Sequence, residues 1–463
     1  MQSVTLKLTL QSFSSQGIRA QWTRLQASPL RYRFAHGVFW SLFAALSSRG
    51  LGVVASIFAA RMLGKQGFGE LGMIHSTVGL FAVFATASMG TTAARYVAEY
   101  RVKDTARAGR LIALCRLVAW LTGSIMASIL VVFAPWLAEH TLAAPHLSTS
   151  IRLAALVLLF GAVSATQSGV LNGLEAFKTN SLVDMACGVA AFPITIVCVW
   201  FFGLTGAVAA LVVYQALNAF LNSVSLRVEA QKAGIPLGWR GARQEMDVLW
   251  RFNLPALLST TMVGPVIWIT NAIMVNSPNG YAEMGVYSAA NQWITAMLFV
   301  PTLCAGVVLP MLTSLRAEST ADTYRQFLWT NVKLNFLSSS LAAVPIALLA
   351  SWIMSSYGAE FADGASVLVI LCIVAVIVAT LNVIGQSIAS EGRMWIGFFL
   401  NGIWAVVLLL FCWLARSQGA LGLSVANLAA YGIHLITVSI YVYWRLRTVD
   451  SDVNRESCVE PTS

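Results

Sequence analysis

Two arginines of this chain stand inside runs of apolar residues, where arginine is costly. Arg49 sits near the middle of FWSLFAALSSRGLGVVASIFAA, with about eleven apolar or small residues on either side. An arginine at the centre of a bilayer costs roughly 2.5–3.5 kcal/mol, so its guanidinium calls for a wet cavity, an anion or a carboxylate. The flanking Ser47, Ser48, Gly50 and Gly52 leave a structural pair or a kink as the other reading. Arg116 lies about one turn inside its own apolar run, where it either faces a cavity or snorkels back to water.

Carboxamides form a second set. Gln215, Asn218 and Asn222 fall at i, i+3 and i+7, on one helix face, and Asn271, Asn291, Gln292, Asn382 and Gln386 lie in later apolar runs. Such groups bind a polar ligand or bond one helix to another. Asp184 is the clearest carboxylate near a span interior, suited to an ion pair or to coupling. His75 and His434 sit on apolar helices, and Trp268 and Trp293 are either stacking surfaces or interfacial anchors. The seven cysteines show no metal or redox spacing. The chemistry this inventory of charges and amides supports is binding.

The elements that must position these residues are membrane helices. Hydrophobic residues make up 58% of the chain and charged residues 10%, against about 25% charge in a soluble domain. Sliding a window of about 20 residues along the chain gives twelve apolar runs, centred near Gly50, Leu80, Ser124, Leu158, Ile194, Leu211, Val266, Leu298, Leu341, Val374, Val406 and Val438. With the N-terminus inside, 23 of the 29 lysines and arginines fall in cytoplasmic segments and four outside. Cytoplasmic loops are enriched in these residues, so both termini are expected in the cytoplasm. The charge of +10 is spread over seven inner segments, which fits topology and anionic lipid and not nucleic acid.

The chain also repeats itself. GFGELGMIH at 67–75 returns as GYAEMGVYS at 280–288, aligning Gly67 with Gly280, Glu70 with Glu283 and Gly72 with Gly285. Gly90 matches Gly306, and Glu175 matches Glu391, at an offset of 216. Six spans per repeat put both halves the same way up, and transporters so built hold their cargo between the halves. The glycines Gly67 and Gly280 are expected to make the outer turn, and Glu70 and Glu283 to favour the dipole at the start of the next helix. The division reads as a basic cytoplasmic extension at 1–33, a six-helix lobe at 34–232, a linker at 233–249, a second lobe at 250–447 and a disordered tail at 448–463.

Residues 59–100, AARMLGKQGFGELGMIHSTVGLFAVFATASMGTTAARYVAEY, resemble the N-terminal signature of polysaccharide-biosynthesis flippases of the Wzx type, in the multidrug/oligosaccharidyl-lipid/polysaccharide exporter superfamily. The matching positions are Arg61, Leu63, Gly64, Phe68, Gly69, Gly90 and Arg95, and LPMLTSL at 309–315 is similar to a later family segment. The N-terminal extension is longer than is usual there. The resemblance implies an all-α integral membrane protein of about twelve helices in two parallel six-helix lobes around a central cavity. It implies residence in the bacterial inner membrane, no cofactor, and flipping of a polyprenyl-diphosphate-linked oligosaccharide. A polysaccharide polymerase and a chain-length regulator are the protein partners it suggests, besides membrane lipids.

On that basis Arg49 and Arg116 are candidate partners of the diphosphate, since a guanidinium bonds phosphate in bidentate fashion and stays charged. Gln215, Asn218, Asn271, Asn291 and Gln292 are candidates for the sugar hydroxyls. A cation-coupled drug exporter of the same superfamily is the alternative. It would be expected to carry an intramembrane carboxylate in span one or seven, where this chain has none and carries Arg49 instead. A membrane polymerase or ligase would be expected to show a large catalytic outer loop. PWLAEHTLAAPHLST offers only Glu139, His140 and His146. A peptidoglycan-precursor flippase would add two spans and further cavity arginines, which are not found.

Overall fold

A computed structural model of the chain describes residues 29–238, 241–246, 262–299, 301–302, 308, 311–315, 321–390 and 394–457. Every regular element among them is helical. Hydrocarbon offers no partner to a backbone N–H or C=O, so a spanning chain must satisfy each of them within its own helix.

The N-terminal half holds α1 (Pro29–Thr86), α2 (Met89–Lys103), α3 (Thr105–Trp136), α4 (Ser148–Gly173) and α5 (Phe177–Lys232). The C-terminal half holds α6 (Val263–Val275), α7 (Gly280–Met297), α8 (Ala321–Leu348), α9 (Ala350–Ser356), α10 (Ala365–Ser390), α11 (Met394–Leu414) and α12 (Gly419–Ser457). Among the described residues, seven helical stretches are long and apolar enough to cross a membrane, or eight if the bent pair α8 and α9, at 67°, is one span.

Two of these helices are too long for one crossing. The 56 residues of α5 would reach about 84 Å as a straight rod, against a hydrocarbon core of about 30 Å. Each long helix contains a glycine outside helical geometry: Gly64 in α1 (φ 69°, ψ 176°) and Gly203 in α5 (φ 55°, ψ −131°). A side chain at such positive φ would crowd the backbone, so glycine is the residue that lets the chain turn there. Ala59 and Leu71 share one apolar cluster with Val199 and Ala207. Along an unbroken helix Ala59 and Leu71 would lie about 18 Å apart, so the chain doubles back at Gly64. Gly419, 216 positions after Gly203, takes the same backbone conformation (φ 55°, ψ −132°).

The turn therefore lies at Gly64. Gly67, expected to make it, is an ordinary helical residue of α1. In the second half the left-handed residue is Asn279 (φ 55°), and Gly280 opens α7. The chain past Arg447 also departs from expectation, since α12 runs on to Ser457. The sequence VDSDVNRES contains neither proline nor glycine to stop it.

Helices α1 to α5 pack largely on one another, as do α8, α10, α11 and α12, and α1 meets the second half along α6 and α7. The largest core cluster joins Met73, Leu130, Ile151 and Leu158 of the first half to Ala272, Trp404 and Leu408 of the second. One end of the bundle holds Gly64, Leu142, Gly203, Tyr357 and Gly419 in its turns. The other, basic end holds α2, the start of α3 and residues 233–238 and 241–246. There Glu245 is buried and accepts from Arg107 Nε (3.0 Å) and Arg110 Nε (3.3 Å), which straps the segment between the halves to the first one. Arg101 pairs with Glu175 at the same end.

Candidate functional site

A cavity of about 940 Å³ lies between the halves. Both limbs of α1 and both limbs of α5 line it, together with α6, α7, α10, α11 and α12. Its polar lining includes His75, Ser76, Asn271, Tyr287, Asn291, Gln292, Asn427 and Tyr431. No carboxylate lines it among the described residues. No group of three His, Cys, Asp or Glu side chains that could hold a metal ion occurs among them either.

Three of the carboxamides singled out from the sequence come together here. Asn271 Nδ2 donates to Ser76 Oγ at 2.9 Å, and the neighbouring Trp268 Nε1 donates to Thr77 Oγ1 at 3.1 Å. Gln292 Oε1 accepts from Ser56 and from the Tyr357 hydroxyl (3.3 Å), which in turn accepts from Trp293 Nε1 (3.2 Å). Tyr357 is fully buried, and burial raises its phenol above the ordinary range, so it remains a proton donor. Each of these chains runs from one half to the other. Trp268 therefore pins the seam, and Trp293 holds the Tyr357 hydroxyl within the second half, where the sequence left stacking surface or interfacial anchor open. Asn291 is exposed to the cavity.

The remaining candidates are not among the described lining residues. Arg49 is in α1, and its neighbours Ser48 and Gly52 line the cavity. The Arg49 side chain lies outside the described residues. Arg116 is half-buried on α3 and is not part of the lining. The Gln215 amide lies against α4 beside Gly161. Asn218 donates to Asp184 Oδ1 at 3.4 Å and accepts from Asn222 Nδ2 at 2.8 Å, so these residues form a polar chain inside the first half. Asn382 and Gln386 are also outside the lining. Sequence reasoning passed over Asn427, Tyr287 and Tyr431. The signal available was i, i+4 spacing, which pairs Tyr287 with Asn291 and Asn427 with Tyr431.

Toward the Gly64 end the halves are sewn together. Gly69 and Gly285 bring α1 and α7 into backbone contact. A Cβ on Gly69 would fall 1.7 Å from Tyr281 O, and one on Gly285 would fall 2.1 Å from Lys65 O. Arg61 Nε donates to Ser356 O (2.7 Å), Asn276 Nδ2 to Thr141 O (2.7 Å) and the Tyr281 hydroxyl to Leu142 O (2.8 Å). The repeated acids are here too: Glu283 stands in the first turn of α7 as expected, and both acids also make contacts beyond their own helices. Glu70 is buried with Oε1 3.0 Å from His146 Nε2, and Glu283 Oε2 accepts the backbone N–H of Ala420 (2.9 Å), capping α12.

A family model described as polysaccharide biosynthesis protein matches residues 34–316. The chain belongs to that family. Among its relatives is the EPS I polysaccharide export inner membrane protein EpsE of Ralstonia solanacearum, 25% identical over 419 residues, covering 89% of this chain and 94% of the relative. The form from Ralstonia nicotianae is 24% identical, covering 87% and 92%. Among solved structures, this polysaccharide biosynthesis family member is similar to an inward-facing multidrug resistance MATE family transporter of the MOP superfamily. The TM-score is 0.74 at 13% identity, covering 87% of this chain and 95% of that one. A MOP superfamily transporter from Pyrococcus furiosus, titled for the reverse polarity of its binding pocket, gives 0.64 at 13% identity, covering 89% and 96%. The family member thus has the MATE transporter fold and is a multi-pass protein of the inner membrane.

Proposed function

We propose that this protein is a polysaccharide exporter that flips a polyprenyl-diphosphate-linked oligosaccharide from the cytoplasmic to the outer leaflet by alternating access. The observation that carries the reading is the cavity between the halves: both line it, and bonds between them close it toward the Gly64 end. Family membership and the names of the Ralstonia relatives support a polysaccharide cargo. In this reading the basic end is cytoplasmic, α1 and α5 each make two spans, and the spans number twelve. Residues 34–232 and 250–447 act as the two lobes. Residues 233–249 link them, and the bond from Glu245 to Arg107 makes the linker travel with the first lobe.

Arg49, one residue from the cavity-lining Ser48, supplies the cation that a diphosphate needs to leave water. The lining also favours this cargo over a cationic drug, because no described lining residue offers an anion. The protein performs no covalent chemistry, and a polymerase acting on the flipped product is its expected neighbour in the membrane.

The test is a deletion strain in which lipid-linked oligosaccharide is quantified on each leaflet. Accumulation on the cytoplasmic leaflet, relieved by the wild-type gene, is expected; an unchanged leaflet distribution would overturn the reading. In the same strain Arg49→Ala should reach the membrane at normal amount yet export less than a tenth of the polymer, with partial recovery by Arg49→Lys. Full export from the alanine variant removes Arg49 from the site.

A further inference from the structure

The two walls of the cavity are chemically unequal. Among the described residues, the wall supplied by residues 48–214 is built largely from glycine, alanine and larger apolar side chains, and its polar groups are hydroxyls and the His75 imidazole. The four carboxamides of the described lining, Asn271, Asn291, Gln292 and Asn427, come from the second half. Two of them are committed to the seam, Asn271 through Ser76 and Gln292 through Ser56 and Tyr357. The other two are not.

Asn291 is exposed to the cavity, and its side chain has no hydrogen-bond partner among the described residues. Asn427 uses its Nδ2 on Leu423 O (2.9 Å) and on the Tyr287 hydroxyl (3.4 Å). That leaves the Asn427 Oδ1 as an acceptor, and the Tyr287 hydroxyl, which accepts from Asn427, with a proton to give. Tyr287 and Asn291 are one turn apart on α7, and Asn427 and Tyr431 are one turn apart on α12, so each pair shares a helix face. The contact between Asn427 and Tyr287 joins the two pairs into one patch. Tyr431 packs on Trp404, with ring centroids 5.4 Å apart, which holds its orientation.

The unspent acceptor narrows the ligand chemistry to a hydrogen-bond donor. Ionised phosphate oxygens only accept hydrogen bonds and an acyl chain makes none, so neither can satisfy Asn427 Oδ1. A sugar hydroxyl or acetamido N–H can, and a sugar also presents the C–H face that suits an aromatic ring. The Asn291 carboxamide and the Tyr287 hydroxyl supply the donors that the same hydroxyls accept. We propose that Tyr287, Asn291, Asn427 and Tyr431 form the subsite that reads the glycan, on the second-half wall alone. The proposal rests on the flippase reading and assigns the sugar to one lobe.

The experiment uses the full chain in nanodiscs, with two probes: undecaprenyl diphosphate, and the same lipid carrying a tetrasaccharide. Two net hydrogen bonds of about 1 kcal/mol each predict that wild type prefers the glycolipid by about tenfold or more. In Asn291→Ala/Asn427→Ala that ratio should fall to about twofold or less, and in Asn291→Ala alone to roughly half of the wild-type ratio on a logarithmic scale. The single variant removes a side chain bonded to no described residue, so its folding is not at stake. A ratio unchanged in the variants overturns the subsite, including the case in which both probes weaken in step. Binding of the bare lipid without any preference in wild type also overturns it while leaving the lipid site standing. Failure of wild type to bind either probe overturns the flippase reading itself.

Discussion

Glu70 and Glu283 occupy equivalent places in the two repeats and are used differently. Glu283 reaches the N-terminus of α12 and accepts the Ala420 N–H, a position where a carboxylate is favoured by the helix dipole. It clamps the Gly419 turn so closely that an added Cβ there would fall 2.5 Å from its Cγ. Glu70 turns to His146. The corresponding turn, Gly203, has the same dihedral angles, yet a Cβ there would meet nothing within 4 Å. Duplicated sequence has thus kept the backbone of both turns, while the side chain that locks one of them has been redirected in the other. Backbone shape and side-chain chemistry are separate inheritances in this molecule.

The sharpest way to break the comparison is at the crossing that both repeats share. Gly285→Val would drive a side chain into the Lys65 carbonyl, so a loss of more than about 3 kcal/mol and of export is expected, read by thermal stability in detergent and by polymer yield. Glu283→Ala should come next, at about 1–2 kcal/mol, because it uncaps a buried N–H, with partial recovery in Glu283→Gln. Glu70→Gln should cost less than about 1 kcal/mol, since the His146 side chain it loses is 60% exposed. An equal loss at the two acids would mean that both turns are clamped alike. Smallest of all is Gly67→Ala, where a Cβ meets only the Leu63 side chain one turn back, at 3.2 Å. A change between zero and about 1 kcal/mol of stabilisation is expected from helix propensity. Damage comparable to Gly285→Val would put the turn back at Gly67.

The sequence made the membrane class, the repeat and three carboxamides of the cavity lining legible, and the limits have physical causes. Hydropathy finds spans because bilayer thickness sets their length. It misplaced the first turn because the repeated GFGE drew attention to Gly67, although Gly64 lies between Leu63 and Lys65 at the edge of the apolar run. Asn271, Asn291 and Gln292 were found as polar residues in apolar spans, and they line the cavity. Gln215 and Asn218 satisfied the same criterion and face α4 and Asp184 instead. Periodicity shows which residues share a face but not what that face meets. Asn427 and Tyr431 sit on α12 beside Tyr287, 140 residues earlier in the chain, and only the fold brings them together.

In the alternating-access reading proposed above, the crossing at Gly69 and Gly285 bears on how the halves part and rejoin. A seam made from leucines would lose about 0.5–1 kcal/mol of rotamer freedom per side chain every time it closed, whereas glycine has none to lose. Main chain meets main chain there, with no side chain to be sorted into a socket. Such a joint closes the same way each time, and its re-formation waits only on the two helices arriving.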